Sequence, residues 1–362
     1  METQTTTMRE QVQEIWVKRP IIISGPCSAE TEAQVLETAQ RLASTGKIDV
    51  LRAGIWKPRT RPGMFEGIGT KGLPWMQKAK QLTGLPVTVE VATAKQVEDA
   101  LHFDVDILWI GARTTVNPFS VQEIADALRG VDVPVLIKNP INPDLELWGG
   151  AVERVARAGV KQIGLIHRGF SNYGNTEYRN APMWHLAIEM KRRNPGMLMI
   201  CDPSHISGRR DILLDVSQKS IDLDFDGLMI ESHIDPDNAW SDAKQQITPE
   251  VVAELLGKIV WRKEDVNSEE YHAALEKLRQ QINHLDDEMM QLLGQRMSIA
   301  DKIGQYKRAN NITILQTNRW NEILERSFQR GDKLGLSKEF ITRYLDAVHM
   351  ESINHQNKIM NS

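Results

Sequence analysis

Cys27, His205, Glu231 and Asp242 each stand just past the end of an apolar run, and a Lys57-Pro58-Arg59-Thr60 stretch follows another such run. A soft thiolate, an imidazole and two carboxylates can hold one divalent metal, and cations beside them can hold phosphate. The combination points to a metal-assisted reaction on a small phosphorylated substrate. Manganese, iron, cobalt and zinc all suit that donor set, so the residues imply one divalent metal ion without choosing it. Plainer readings exist for each residue alone: a cysteine after a strand is often a small core residue, and a single histidine is often structural. Glu231, directly after Gly-Leu-Met-Ile, is harder to place that way, because a buried carboxylate needs a cation.

The elements that must gather these residues are short β-branched runs alternating with segments of helical periodicity. Eight such runs occur, at residues 20–23, 49–53, 87–91, 107–110, 135–138, 162–166, 197–200 and 227–230. Eight strands, each followed by a segment able to return as a helix, predict an α/β fold, a closed (β/α)8 TIM barrel over residues 20–261 behind an N-terminal extension of residues 1–19. The runs are apolar throughout, as parallel strands covered on both faces require. In such a barrel the residues at the C-terminal strand ends converge on one mouth, so Lys57, Arg59, Arg113, Lys138 and Arg168 join the four candidate ligands there. Cys201, inside the seventh run, reads as core.

Past residue 261 the alternation stops. Residues 262–270 read as a linker and residues 271–362 as an all-α helical domain. Leu275, Leu278, Ile282, Leu285, Met289, Leu292, Ile299 and Ile303 keep a heptad spacing over some 30 residues without proline. A helix of that length, about 45 Å at 1.5 Å per residue, cannot bury its stripe alone and needs partner helices from this chain or another. Arg296 interrupts the row 275, 282, 289, 303 where an apolar residue is due, and a guanidinium in a helix seam calls for an anion. Arg279 and Lys307 flank the same stripe, where a solvated flank is the plainer reading. Two shorter helices are expected near residues 317–330 and 337–360.

The formal charge of -4 over 362 residues gives no reason to expect nucleic acid or an anionic membrane as a partner. No apolar run approaches the roughly 20 residues a bilayer span needs, so a cytoplasmic protein is expected. Only two cysteines, Cys27 and Cys201, are present, which argues against a disulfide framework. Gly67-Ile68-Gly69-Thr70-Lys71-Gly72 matches a dinucleotide-binding pattern but follows a loop rather than a strand, so a flexible loop explains it better.

The barrel segment resembles the type I class of 3-deoxy-D-arabino-heptulosonate 7-phosphate (DAHP) synthase. The likeness rests on Gly25-Pro26-Cys27, Lys57-Pro58-Arg59-Thr60, Gly111-Ala112-Arg113-Thr114, Lys138, Arg168-Gly169, Asp202-Pro203-Ser204-His205, Ile230-Glu231 and Ser241-Asp242. The resemblance implies condensation of phosphoenolpyruvate with erythrose 4-phosphate. It assigns the metal to Cys27, His205, Glu231 and Asp242, phosphoenolpyruvate to Arg52, Lys57, Arg113, Lys138 and Arg168, and the aldose phosphate to Arg59 and Thr60. The related octulosonate 8-phosphate synthases share the barrel, but their phosphate loop reads Lys-Ala-Asn-Arg where this chain has Lys-Pro-Arg-Thr.

The helical segment resembles the all-α class of chorismate mutase through Leu278-Arg279-x-x-Ile282, Arg296, Lys307, Arg319, Ser352 and Gln356. The resemblance implies that these polar residues bind chorismate and prephenate, with Arg279 reaching across from a second protomer, and hence a homodimer or higher homo-oligomer. One departure stands out. Where many members read Asp-x-x-Arg-Glu, this chain reads Gln316-Thr317-Asn318-Arg319-Trp320, so an acid expected to hold the substrate hydroxyl is missing. The fusion implies a bifunctional enzyme of aromatic amino acid biosynthesis, fed back upon by prephenate or chorismate through its helical domain. The alternative is a synthase whose helical domain only dimerises and binds effector.

Overall fold

The computed structural model describes residues 7–57, 63, 65–172, 177–263 and 265–361. The chain divides into two compact units, Met1–Glu264 and Asp265–Ser362.

The first unit opens with α1 (Met8–Val17), closed at its start by a capping box between Thr7 and Glu10. Then follow β1 (Ile21–Gly25), α2 (Glu32–Ser44), β2 (Val50–Ala53), α3 (Leu73–Thr83), β3 (Val87–Val91), α4 (Ala94–His102), β4 (Ile107–Ile110), α5 (Ala112–Thr115) and α6 (Pro118–Ala127). The second half continues with β5 (Val135–Lys138), α7 (Leu145–Arg157), β6 (Ile163–His167), α8 (Trp184–Arg193), β7 (Leu198–Cys201), α9 (Pro203–Ser207), α10 (Leu213–Asp222), β8 (Gly227–Glu231) and α11 (Pro249–Lys258). The strands pair in sequence order, all parallel, and β1 closes on β8 from Ile21↔Gly227 to Gly25↔Glu231. The TIM barrel expected from the sequence is therefore the fold.

Strand periodicity sorts the side chains into two cores. Ile21, Ile23, Val50, Ile107, Trp109, Leu136, Ile166, Leu198, Ile200 and Met229 fill the barrel interior, where Val12 and Ile15 of α1 join them. The alternate residues, such as Ile22, Leu51, Leu108, Ile137, Leu165 and Leu228, pack outward against the helices, and Cys201 is among them. The segment before the barrel is thus part of its core: α1 sends apolar residues into the interior layer. Carrying the same alternation one step further along β2, β5 and β8 turns Arg52, Lys138 and Glu231 inward, all of them buried.

The second unit consists of α12 (Glu269–Ala309), α13 (Thr317–Asp332) and α14 (Lys338–Asn361). Ser268 caps α12 by accepting from the Tyr271 amide at 3.2 Å. At 41 residues the helix is about 62 Å long, longer than the heptad run alone suggests. It packs on α14 through Met297, Ala300 and Gly304, opposite Val348, Ser352 and Gln356. A Cβ at Gly304 would lie 3.2 Å from Gln356 Cα, so the missing side chain is what lets the two helices approach there.

Candidate functional site

At the C-terminal end of the barrel, Cys27, Glu231 and Asp242 bring their ligand atoms within 4.8 Å of one another. Three different elements supply them. Cys27 lies in the turn after β1, which begins at Gly25 with φ +149°, and a Cβ there would stand 2.0 Å from the Arg52 carbonyl oxygen. Glu231 is the last residue of β8 rather than the first beyond it, kept in the ladder opposite Gly25. Asp242 sits in the following loop with left-handed backbone, φ 50° and ψ 35°, a conformation tolerated best by Asn and Asp. The Cys27 thiol lies 3.3 Å from Asp242 Oδ2 and receives the Lys57 ammonium at 3.2 Å.

His205 stands beside this trio. Its Nε2 is 3.7 Å from Glu231 Oε1, and its Nδ1 is 2.8 Å from Asp202 Oδ2. Asp202 also caps α9, accepting from the His205 amide at 3.0 Å, and takes the Lys138 ammonium at 2.7 Å. A carboxylate at one ring nitrogen leaves the other facing the prospective ligand position.

Burial and neighbouring charge set the protonation of this cluster. Burial, reinforced by Glu231, pushes the Cys27 thiol up to about 12, so its proton must leave for the sulfur to ligate. Burial lowers His205 in spite of Asp202 and Glu231, favouring the uncharged ring that a metal needs. Burial alone would raise the Glu231 carboxyl, but His205 when its ring is protonated, and the Arg52 and Lys57 cations, outweigh it. For Asp242 burial likewise loses, to Arg179 and Lys57, and to His205 when its ring is protonated. Glu231 Oε1 is a buried oxygen with no hydrogen-bond partner. An anionic trio with an orphaned oxygen and a neighbouring imidazole fits a divalent metal, and its mixed sulfur, nitrogen and oxygen donors fit a transition metal better than magnesium or calcium.

The cations form a second group. Arg52 reaches Glu231 at 3.3 Å, and the Trp109 ring carries the Arg52 guanidinium at 4.9 Å and the Lys138 ammonium at 5.8 Å. Arg168 donates to Asn180 Oδ1 at 2.7 Å, and burial pushes its guanidinium down to about 10, with Arg179 and Arg113 adding like charge. Arg113 itself, in α5 directly after β4, is exposed. The four metal candidates and Arg52, Lys57, Lys138 and Arg168 thus share one mouth, whereas Arg59 and Thr60 lie outside the described residues.

Three participants carried no clear sequence signal. Arg179, in the loop after β6, donates to Asp242 Oδ1 at 3.0 Å and to Gln245 Oε1 at 2.5 Å. Gln245 in turn donates to Glu231 Oε2 at 2.6 Å. Gln246 accepts from the Cys27 amide at 2.9 Å and donates to the Ser241 carbonyl at 2.8 Å. The only hint was proximity: Gln245 and Gln246 follow Asp242 closely, and Arg179 follows Arg168 on the same loop.

In the helical unit, the Arg296 guanidinium hydrogen-bonds Ser352 Oγ and, at 3.4 Å, the Val348 carbonyl. Lys307 lies eleven residues beyond Arg296 on the same face of α12, bonds the Ile314 carbonyl, and has its ammonium pushed down by burial. Gln356, one turn past Ser352, is buried with Oε1 unpartnered. These four therefore gather along the α12–α14 contact. Arg319 does not turn to them in this chain: it is exposed and pairs with Glu322 at 2.8 Å. Arg279 is exposed as well.

Comparison with known proteins places each unit in a family. A family model described as the DAHP synthetase I family matches residues 10–268, and one described as chorismate mutase type II matches residues 278–357. The phospho-2-dehydro-3-deoxyheptonate aldolase of Thermotoga maritima is 32% identical over 235 residues, which cover 65% of this chain and 67% of that protein. The 2-dehydro-3-deoxyphosphooctonate aldolase of Thioalkalivibrio sulfidiphilus is 28% identical over 263 residues, covering 67% of this chain and 90% of that protein. The crystal structure of the Thermotoga maritima aldolase, also called DAHP synthase, aligns with a TM-score of 0.59 at 30% identity over 66% of this chain and 67% of that one. Among the described residues no helix is long and apolar enough to cross a membrane.

Proposed function

The chain belongs to the DAHP synthetase I family, fused to a chorismate mutase of type II, and from that premise we propose how its residues carry the two reactions. The observation that carries the barrel reading is the meeting of the buried Cys27 and Glu231 and the half-buried Asp242 with the buried cations Arg52, Lys138 and Arg168 at one mouth. His205 completes the donor set. A divalent metal held there would supply Lewis-acid polarisation of the aldehyde oxygen of erythrose 4-phosphate.

The remaining work falls to the chain's own groups. Arg52, Lys57, Arg113, Lys138 and Arg168 bind the phosphate and carboxylate of phosphoenolpyruvate, and Arg59 with Thr60 bind the aldose phosphate. Holding the enol carbon of one substrate against the carbonyl carbon of the other replaces a bimolecular encounter. When water adds to the former enol phosphate carbon and phosphate leaves, negative charge grows beside cations already fixed by Trp109, Asp202 and Asn180. Such preorganised charge contributes several kcal/mol to lowering a barrier, as a rough magnitude.

In the helical unit, Arg296 takes a carboxylate of chorismate together with Arg279 of a second protomer, Arg319 joins them on leaving Glu322, Lys307 and Gln356 face the ether oxygen, and Ser352 orients Arg296. The rearrangement to prephenate needs a compact conformer and charge stabilisation, not covalent catalysis. Prephenate or chorismate bound here also inhibits the condensation, because a ligand that prefers one conformation of the chain shifts its population.

The test follows phosphoenolpyruvate absorbance with erythrose 4-phosphate on chelator-treated protein, with and without manganese, then with prephenate. Metal-restored turnover slowed by prephenate is expected. Turnover with arabinose 5-phosphate instead would move the substrate assignment, and an unchanged rate under saturating prephenate would remove the feedback.

A further inference from the structure

Among the described residues of the helical unit, two buried side-chain polar atoms have no hydrogen-bond partner: Gln356 Oε1 and His349 Nε2. Gln356 already belongs to the chorismate-binding set; His349 does not. Positions 349, 352 and 356 fall at i, i+3 and i+7, so His349, Ser352 and Gln356 share one face of α14. That face meets α12, where Arg296 bonds Ser352 and the carbonyl of Val348, the residue directly before His349. From α13, Trp320 lies flat on the imidazole, ring centroids 4.2 Å apart and planes 21° from parallel. Trp320 occupies the position where the sequence lacks its expected acid.

The chemistry of chorismate divides among these groups. Its two carboxylates and its ether oxygen call for cations, which Arg296, Lys307 and the other arginines provide. Its ring hydroxyl is uncharged and suits an uncharged partner with one donor and one acceptor. His349 is such a group: burial pushes its imidazole down, and Arg296 adds to the effect, so the ring is neutral at physiological pH. A buried polar atom without a partner is rare enough in folded proteins to need an explanation, and a ligand hydroxyl supplies one.

We propose that His349 Nε2 hydrogen-bonds the ring hydroxyl of the mutase substrate, in place of the missing carboxylate, while Trp320 holds the imidazole in plane. The assignment rests on the chorismate reading of the helical unit and adds a substrate-binding residue to it.

The experiment uses the full chain and two substrates, chorismate and its analogue lacking the ring hydroxyl. His349→Phe keeps a ring for Trp320 to stack on but removes both nitrogens; His349→Gln returns an amide. With chorismate, kcat/KM falls about tenfold in His349→Phe and recovers to within a few fold in His349→Gln. With the analogue, the wild type and His349→Phe turn over alike. An equal loss with both substrates would make His349 a packing residue and overturn the proposal, as would no loss at all. A wild-type chain without chorismate turnover would instead overturn the mutase reading on which the proposal rests, and the proposal with it.

Discussion

Arg52 and Glu231 face each other at 3.3 Å inside the barrel with 1% and 0% of their side chains exposed. Glu231 Oε1 and two of the three Arg52 guanidinium nitrogens have no hydrogen-bond partner, so the pair is held by charge more than by geometry. Removing one partner of such a pair costs about 3–5 kcal/mol, because the other charge is left buried and alone. Arg52→Met is therefore expected to unfold at clearly lower denaturant than the wild type in the presence of chelator. Manganese should stabilise the variant more than the wild type, since a cation beside Glu231 replaces the lost charge. Equal stabilisation of the two proteins by manganese would show that the metal does not sit at this carboxylate.

Arg179 and Gln245 link two of the acidic ligands through a chain of hydrogen bonds, Asp242 to Arg179 to Gln245 to Glu231. Asp242 holds a left-handed backbone, so its aim depends on such outside support. Loss of groups that orient metal ligands typically weakens metal binding about 10–100-fold. Gln245→Ala should show that loss in a cobalt titration against a competing chelator, with unchanged circular dichroism. Wild-type cobalt affinity in Gln245→Ala would reduce the chain of bonds to packing.

The sequence disclosed these sites unevenly, and the reasons are physical. Strands covered on both faces are continuous apolar runs, so all eight were visible, and the rule that strand ends converge then collected Cys27, Lys138, Arg168 and Glu231. Their ends fell one or two residues short at β1, β6, β7 and β8, where Gly25, His167, Cys201 and Glu231 stay paired although their types suggest a strand stop or a site. Arg179 and Gln245 act from loops, which have no period to read. The polar start of the chain concealed α1, whose Val12 and Ile15 complete the interior core. In the helical unit the heptad stripe and Arg296 were plain, but the stacking of Trp320 on His349 joins two helices and has no trace in either segment alone.

His167 ends β6 with its side chain turned outward, fully buried among Phe170, Trp184 and Phe225 at centroid distances of 5.7, 5.3 and 6.0 Å. Burial pushes its imidazole from 6.5 down to about 3. Between those two values the unfolded chain binds a proton that the folded chain refuses, so stability is complete above pH 6.5 and falls as the pH drops towards 3. The slope is about 1.4 kcal/mol per pH unit for this one group. His167→Phe, close in volume and free of titration, should lower the acid-unfolding midpoint followed by near-ultraviolet circular dichroism while changing stability at pH 7 little. Coincident acid transitions in the two proteins would exclude His167 as a source of acid lability.

Leu278, Ile282, Leu285, Met289 and Leu292 of α12 are each more than half exposed, in one stripe along the helix. An apolar seam of this length is not stable in water by itself, and α14 covers a later stretch of the helix, the one carrying Met297, Ala300 and Gly304. A second copy of α12 is the partner that the heptad spacing fits, and it would bring Arg279, exposed on its own chain, to the neighbour's Arg296 and Lys307. Ile282→Glu puts a carboxylate into that seam. In sedimentation the wild type should run at twice the chain mass and the variant at the chain mass. Mutase turnover should fall by at least a hundredfold in the variant, because each site loses an arginine. Phosphoenolpyruvate consumption should persist, since the residues assigned to that reaction all lie in the barrel unit. A variant that remains dimeric with full mutase turnover would mean that the stripe is covered by something other than its own copy.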